Sequence, residues 1–417
     1  LSVRLFAFVV AIIAHSILLN PQNGPVHFLL WLPKLLADAL SPVLVVWHTM
    51  MGLVGLKRKD WLLLLLGMTG TAVSLKHFTD VTTPHENDFA EAFGVGWQLR
   101  IPVEIRAKLS THRWQPHLKQ QSNGLIERDV EYGSNPDTPD NVRLYADIMR
   151  PPEDVPRTGL ALIYVHGGGW AYGRRNIGKF PYFRQLSSQG HLIMDIDYTL
   201  NPKTSVPGMA MDVKRAIIWL KANAERYKIN PDRIVLAGQS AGGHLSLLAA
   251  YTGNYLGLQP DSSTADTSVR AVISYYGPPD MAALHDDVEA RFNVLFRGQV
   301  RQNLKERVGE EHKLAHGIAG LMGGSVLDIP EMYRLISPVT YVDGDCPPTL
   351  LIHGTHDLVV SHREVERLLV ALRQNNVPSV YVPMPGCDHS FESVLPRISP
   401  SAQTAAYYME RFIALMM

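Results

Sequence analysis

Apolar residues come first in three long runs, and only later in short bursts set between polar stretches. The runs cover 3–19, 28–56 (interrupted by Lys34 and Asp38) and 61–75. A membrane-spanning helix needs about 20 mostly apolar residues, so the middle run suits a tilted span or a broken pair and the outer two are slightly short. Three such runs near the start of the chain are hard to bury in so small a region, and a cleaved leader would account only for the first. The pattern therefore predicts a transmembrane helical anchor of two to four spans over residues 1–80, and hence a multi-pass integral membrane protein. Arg4 and the cluster Lys57, Arg58, Lys59 would share the cytoplasmic side, which favours an extracytoplasmic or lumenal position for the rest. Lys76 and any even number of spans argue the other way.

Residues 81–124 are polar and rich in histidine and proline, and read as a linker or cap segment. From Leu125 the texture changes. Short apolar runs at 142–149, 159–165, 191–196, 233–237, 270–275, 348–352 and 379–383 predict strands. Between them lie helical stretches such as 208–227, where Met211, Ile218 and Trp219 recur at helical spacing. The continuous runs ALIYV, RIVLAG and TLLIHG suit a sheet covered on both faces. Alternating strand and helix predicts an α/β domain with a mostly parallel sheet over 125–417. The pair near 126–133 and 142–149 predicts an antiparallel hairpin at its edge, turned by NPDTPDN. Between Asp280 and Pro347 no strand pattern occurs, while helical patterns run over 286–304 and 310–322. That is too long for an idle connection, and predicts a helical insertion at about 280–346 that covers a pocket.

Charge narrows the partners. Lys+Arg and Asp+Glu both total 39, which leaves no basic footprint for a nucleic acid. Two cysteines, Cys346 and Cys387, exclude a disulfide-dense scaffold and leave their pairing open.

The candidate chemistry begins after the strand RIVLA, at Gly238-Gln239-Ser240-Ala241-Gly242-Gly243. A Gly-x-Ser-x-Gly turn between strand and helix exposes its serine above the sheet, and the helix that follows aims free N–H groups at developing negative charge. A nucleophilic serine needs a base, and the base an orienting acid. Asp357 follows the strand TLLIHG, and His389 follows the strand ending YVPMP. Both positions lie past strand C-termini, where sites form on open α/β sheets. His353, His356, His244 and Asp388 compete for these roles, although a histidine in such a place is more often packed than catalytic. His353, His356 and Asp357 have metal-like spacing, but no partner motif supports a metal, and none is expected.

A second glycine cluster, HGGGW at 166–170, follows the strand ALIYV. Three consecutive glycines cost backbone entropy and pack nothing, which makes sense where backbone N–H groups must approach a ligand. Gly167 and Gly168, with the Ala241 N–H, are the candidate oxyanion hole. Gly169, Trp170, Tyr172, Tyr276 and Phe391 are candidate pocket residues, each equally suited to packing.

From about 125 to 414 the chain resembles the α/β-hydrolase fold, with Ser240, Asp357 and His389 in its chain order. Within it, the chain is similar to the hormone-sensitive-lipase-like carboxylesterases, near the acetyl-esterase and isoprenylcysteine-methylesterase-like branches. The matching stretches are His166–Trp170, Asp197-Tyr198, the helix from Asp212 to Leu220, Gly238–Gly243, the Asp357 loop and His389. The resemblance implies an eight-stranded, mostly parallel sheet covered by helices. It also implies hydrolysis of carboxylic esters without a cofactor, and structural or pocket-shaping places for Asp212 and Tyr198. The chain departs from the family in its N-terminal apolar runs and in the length of its insertion. Those departures point to a small-molecule or lipid-like ester reached from a membrane surface. An amidase or peptidase of the same fold, or a non-catalytic membrane receptor or scaffold, are the alternatives. Oligomeric state is not readable from these patterns.

Overall fold

Strands with no polar face need cover on both sides, and β3 (Ala161–Val165), β4 (Leu192–Ile196) and β6 (Ala271–Tyr275) are buried at every position. The computed structural model describes residues 3–20, 29–83, 86–116, 124–176, 181–253, 255–260, 264–295 and 317–417. With β1 (Leu125–Asn135), β2 (Val142–Arg150), β5 (Ile234–Gln239), β7 (Thr349–Gly354) and β8 (Ser379–Met384), these strands form one eight-stranded sheet in the order β1-β2-β4-β3-β5-β6-β7-β8. β2 runs antiparallel to both its neighbours, and every pair from β4 across to β8 is parallel. This is the expected mostly parallel sheet with a hairpin at its edge.

Helices α1 (Val3–His15), α2 (Trp31–Ala39), α3 (Ser41–Arg58) and α4 (Trp61–Thr82) precede the sheet. Further on come α5 (Pro181–Gln189), α6 (Val206–Ala222), α7 (Ala241–Tyr251), α8 (His362–Gln374) and α9 (Pro400–Leu415). One face of the sheet packs on α6, α7 and α8 through residues such as Val213, Leu245 and Leu368. The other packs on α5 and α9 through Phe183, Tyr408 and Phe412. Phe89, Trp97, Ile101 and Ile105, from the segment read as linker or cap, are buried in this second layer. Of the insertion, helices Met281–Leu295, Gly317–Met322 and Pro330–Leu335 are described, and residues 296–316 lie outside the described residues.

The N-terminal runs require a correction. Among the described residues only α4 is both long and apolar enough to cross a membrane. The middle run is broken between α2 and α3 by a bend of 88°, and the first run is too short a helix. An anchor of two to four spans, and with it a multi-pass integral membrane architecture and its sidedness, is therefore overturned. The physical reason lies in the two charges that interrupt the middle run. Lys34 and Asp38 are buried inside the protein, and α2 turns to bring them there. The outward side of α1, α3 and α4 stays apolar, with Phe6, Leu53, Leu65 and Met68 exposed.

Helices α3 and α4 touch backbone to backbone. A Cβ on Gly67 would lie 2.3 Å from Gly52 N, and one on Gly55 would lie 2.4 Å from Leu64 N. Gly67→Val should therefore force the two helices apart and lower the unfolding free energy by about 1–3 kcal/mol, read by denaturant titration of the full chain. Unchanged stability would show that the pair is not so closely packed.

Candidate active site

The turn from β5 into α7 places Ser240 at φ 53° and ψ −124°, a left-handed backbone that a side chain adopts only under constraint. Its neighbours leave no room for relaxation. A Cβ on Gly238 would meet the Gly242 carbonyl at 2.4 Å, and one on Gly242 would meet Val165 O at 2.0 Å. The Ser240 N–H donates to Tyr275 O at 2.9 Å, which pins the turn to β6. The glycines of this motif are thus required by close approach, and the serine side chain is left partly exposed at the sheet's C-terminal edge.

Asp357 and His389 come from the loops after β7 and β8, and the structure brings both to Ser240. The His389 Nδ1–H donates to Asp357 Oδ2 at 2.8 Å, which leaves Nε2 to accept from the Ser240 hydroxyl at 2.9 Å. The other carboxylate oxygen, Asp357 Oδ1, accepts the N–H groups of Val359 and Val360 at 2.7 and 2.8 Å. Burial works to raise the Asp357 carboxyl, but His389 and His353 beside it outweigh burial and hold it well below the carboxylate range. Burial likewise works to lower His389, and the Asp357 charge and hydrogen bond overcome it, so this imidazole sits above its ordinary value. The arrangement can store a proton on His389 and return it.

The HGGGW loop lies against Ser240. A Cβ on Gly167 would come within 3.3 Å of Ser240 Cβ. Gly168 has φ 128°, and a Cβ there would strike Tyr172 O at 2.1 Å. Among the described residues, the N–H groups of Gly167, Gly168 and Ala241 donate to no other backbone group. Gly169 is exposed with open space beside it. Trp170 is buried, and its indole N–H donates to His244 Nδ1 at 3.1 Å. Tyr172 is exposed. Tyr276 is buried with its ring centroid 4.5 Å from that of His389, and Phe391 is fully buried 5.8 Å from Tyr276.

The competing residues have other partners. His244 accepts from Trp170, so its Nε2–H donates to Ile336 O at 2.7 Å. Burial pushes His244 down to about 4, which keeps it neutral. His353 donates from Nε2 to Val360 O at 3.0 Å and lies 3.3 Å from Asp357 Oδ2, supporting the acid from behind. Cys346 and Cys387 are both free and buried. Asp212 accepts from Thr199 N and Asn135 Nδ2 and pairs with Arg215, tying β1 to α6.

Two features escaped the sequence patterns. Asp388 bridges the loops of Asp357 and His389 from its Oδ1, which accepts from Leu358 N at 2.8 Å and His389 N at 2.7 Å. Asp38, His77 and Cys387 form a buried set with metal-like spacing. Its groups already satisfy one another, since Asp38 accepts from His77 Nε2 at 2.7 Å, Ser401 Oγ at 2.7 Å and Cys387 Sγ at 3.5 Å. Burial pushes the Cys387 thiol well up, away from the thiolate that a metal would need. Only the Asp388-His389 dipeptide was visible in advance, and nothing local marked its bridge.

A family profile described as BD-FAE matches residues 146–372, just over half of the chain. "Probable carboxylic ester hydrolase LipM" of Mycobacterium tuberculosis is 32% identical over 272 residues, covering 65% of this chain and 58% of that protein. "Esterase LipC" of the same organism is 32% identical over 289 residues, covering 68% and 64%. The chain thus spans less than two thirds of the length of either relative. Thermogutta terrifontis esterase 2 with propionate bound superposes at a TM-score of 0.51 with 22% identity, over 70% of this chain and 94% of that one. At that identity the likeness speaks to the fold, which is the α/β-hydrolase fold.

The two histidines give a direct check on these electrostatics. In a nitrogen-15 NMR titration of histidine-labelled protein, His389 should protonate at a midpoint above the ordinary value of 6.5, while His244 stays neutral until pH falls to about 4. The reverse order would contradict the assigned hydrogen bonds.

Proposed function

The chain belongs to the BD-FAE family, within the α/β-hydrolase-fold carboxylesterase superfamily, and we propose that it is a serine carboxylic-ester hydrolase acting through an acyl-enzyme on small or lipid-like esters. The observation that carries this reading is the unbroken hydrogen-bond chain from Ser240 through His389 to a buried, ionised Asp357. Within the superfamily we place it with the hormone-sensitive-lipase-like carboxylesterases, on the strength of its HGGGW loop and Gly-x-Ser-x-Gly-Gly turn. The catalytic unit we assign is residues 125–417.

In the proposed cycle Ser240 Oγ attacks the ester carbonyl while its proton passes to His389 Nε2. Asp357 keeps the ring in the tautomer that can accept it. The carbonyl oxygen gains charge, and the N–H groups of Gly167, Gly168 and Ala241 stabilise it more than they stabilised the neutral carbonyl. His389 then protonates the departing alcohol, and the acyl group remains on Ser240. Water, losing a proton to His389, attacks the acyl carbonyl and releases the acid, and Ser240 regains its proton. Gly169, Trp170, Tyr172, Tyr276 and Phe391 are the residues we assign to shaping the surrounding pocket. The exposed apolar side of α1, α3 and α4 is the face we assign to a lipid surface that presents such esters.

The test is hydrolysis of p-nitrophenyl esters of increasing acyl length, with wild type beside Ser240→Ala. The expected outcome is turnover in the wild type and none above background in the variant, and hydrolysis at a normal rate by Ser240→Ala would overturn the assignment. Asp357→Asn should lower kcat by up to about 10⁴-fold, by analogy with serine proteases. Because His389 must be neutral to accept the proton and its value is raised, kcat/KM should fall with decreasing pH through a midpoint above 6.5. A midpoint below that value would remove Asp357 as the charge acting on His389.

A further inference from the structure

Helix α2 presents Lys34 and Asp38, one turn apart, to the loop after β8. The ammonium group of Lys34 is saturated with acceptors. It donates to Asp388 Oδ2 at 3.1 Å, to Leu19 O at 2.7 Å and to His356 O at 3.3 Å. The Lys34 and Asp388 side chains are 1% and 0% exposed. Asp388 is the bridging carboxylate whose other oxygen takes the backbone N–H groups of Leu358 and His389. One buried ion pair therefore touches the residue on either side of Asp357, through His356 O and Leu358 N, and the backbone of His389 itself. Asp38 reinforces the same contact by accepting from Cys387 and Ser401.

We propose that Lys34 is a positioning residue for the catalytic centre: by holding Asp388 in its bridge, it keeps the loops after β7 and β8 in the arrangement that joins Asp357 to His389. This rests on the serine-hydrolase reading above. It also makes the N-terminal helices a working part of the enzyme. A buried carboxylate is costly without its counter-charge, so removing Lys34 leaves Asp388 to find another partner by moving, and the two loops move with it. Burial pulls Lys34 below its ordinary value while the Asp388 charge opposes that, as expected for an ammonium retained for a specific partner.

The pair also acts electrostatically on His389. The groups facing this imidazole are Asp357 and His353 from β7 and its loop, Asp388 and Glu392 from its own loop, Tyr276 after β6, and Ser240 at the turn. Asp388 raises His389, and Lys34 screens Asp388. Asp357 is the larger raising influence, so parting it from His389 on loss of Lys34 should lower the midpoint of His389, a shift that a role in folding alone would not produce.

The test measures kcat, KM and the pH profile of p-nitrophenyl ester hydrolysis for the full chain and for Lys34→Met, Lys34→Arg and the double variant Lys34→Met/Asp388→Asn, with folding checked by near-ultraviolet circular dichroism. The amide introduced by Asp388→Asn retains an oxygen for both backbone N–H groups without a charge to screen. For Lys34→Met we expect kcat to fall about 10- to 100-fold with KM within about twofold, as a displaced catalytic group requires. Its acid limb should move to lower pH, stay near the wild-type position in Lys34→Arg, and return in the double variant. A folded Lys34→Met with wild-type kcat and an unmoved limb overturns the proposal while leaving the serine-hydrolase reading intact. If Lys34→Met does not fold, the double variant decides: a folded protein with kcat within about twofold of wild type supports the proposal, since its uncharged bridge needs no ammonium, and one that misfolds or turns over far more slowly overturns it. A wild type without turnover overturns the underlying reading and this proposal with it.

Discussion

A carboxylate buried at the end of a parallel sheet must have its lone pairs answered, and the candidate site is organised around how Asp357 meets that demand. Two backbone N–H groups from its own loop take one oxygen, and His389 and His353 crowd the other. With its charge stabilised in this way, Asp357 fixes the tautomer of His389, and that tautomer in turn decides which nitrogen faces Ser240. Without the ionised carboxylate, the neutral imidazole could point the wrong nitrogen at the serine.

The rest of the fold supplies rigidity to these three positions. Parallel pairing from β4 to β8 brings the C-terminal ends of β5, β7 and β8 to one edge, so three loops distant in sequence converge there. Ser240 keeps its strained backbone because β3, β6 and the start of α7 surround the turn at contact distance. The loops of Asp357 and His389 are tied by Asp388, and Asp388 is tied to α2 by Lys34. The chain that closes around the site therefore begins well before the sheet.

The strands, and the three residues that converge at their ends, were legible because both leave short local signatures. Continuous apolar runs such as ALIYV mark strands buried on both faces, and Ser240, Asp357 and His389 each sit in the turn or loop that follows such a strand. The hairpin of β1 and β2 was legible from NPDTPDN for the same reason. The N-terminal region misled because hydropathy registers how apolar a run is and not what lies against it. Lys34 and Asp38 looked like interruptions in a span, whereas they are the groups that dock α2 onto the core. Asp388 was visible only as a neighbour of His389, since its partners lie 30 and 354 positions away along the chain. Phe89 and Trp97 sat in a polar context and gave no sign that they complete the layer under α9.

The claim on which the account depends is that Ser240 is an activated nucleophile, and covalent labelling reads that without any assumption about the natural ester. Intact-mass analysis after incubation with paraoxon, followed by peptide mapping, should find one diethylphosphoryl group on Ser240. Labelling should be strongly slowed in His389→Ala, which removes the base. A wild-type chain that stays unlabelled, or carries the group on another residue, would contradict the account.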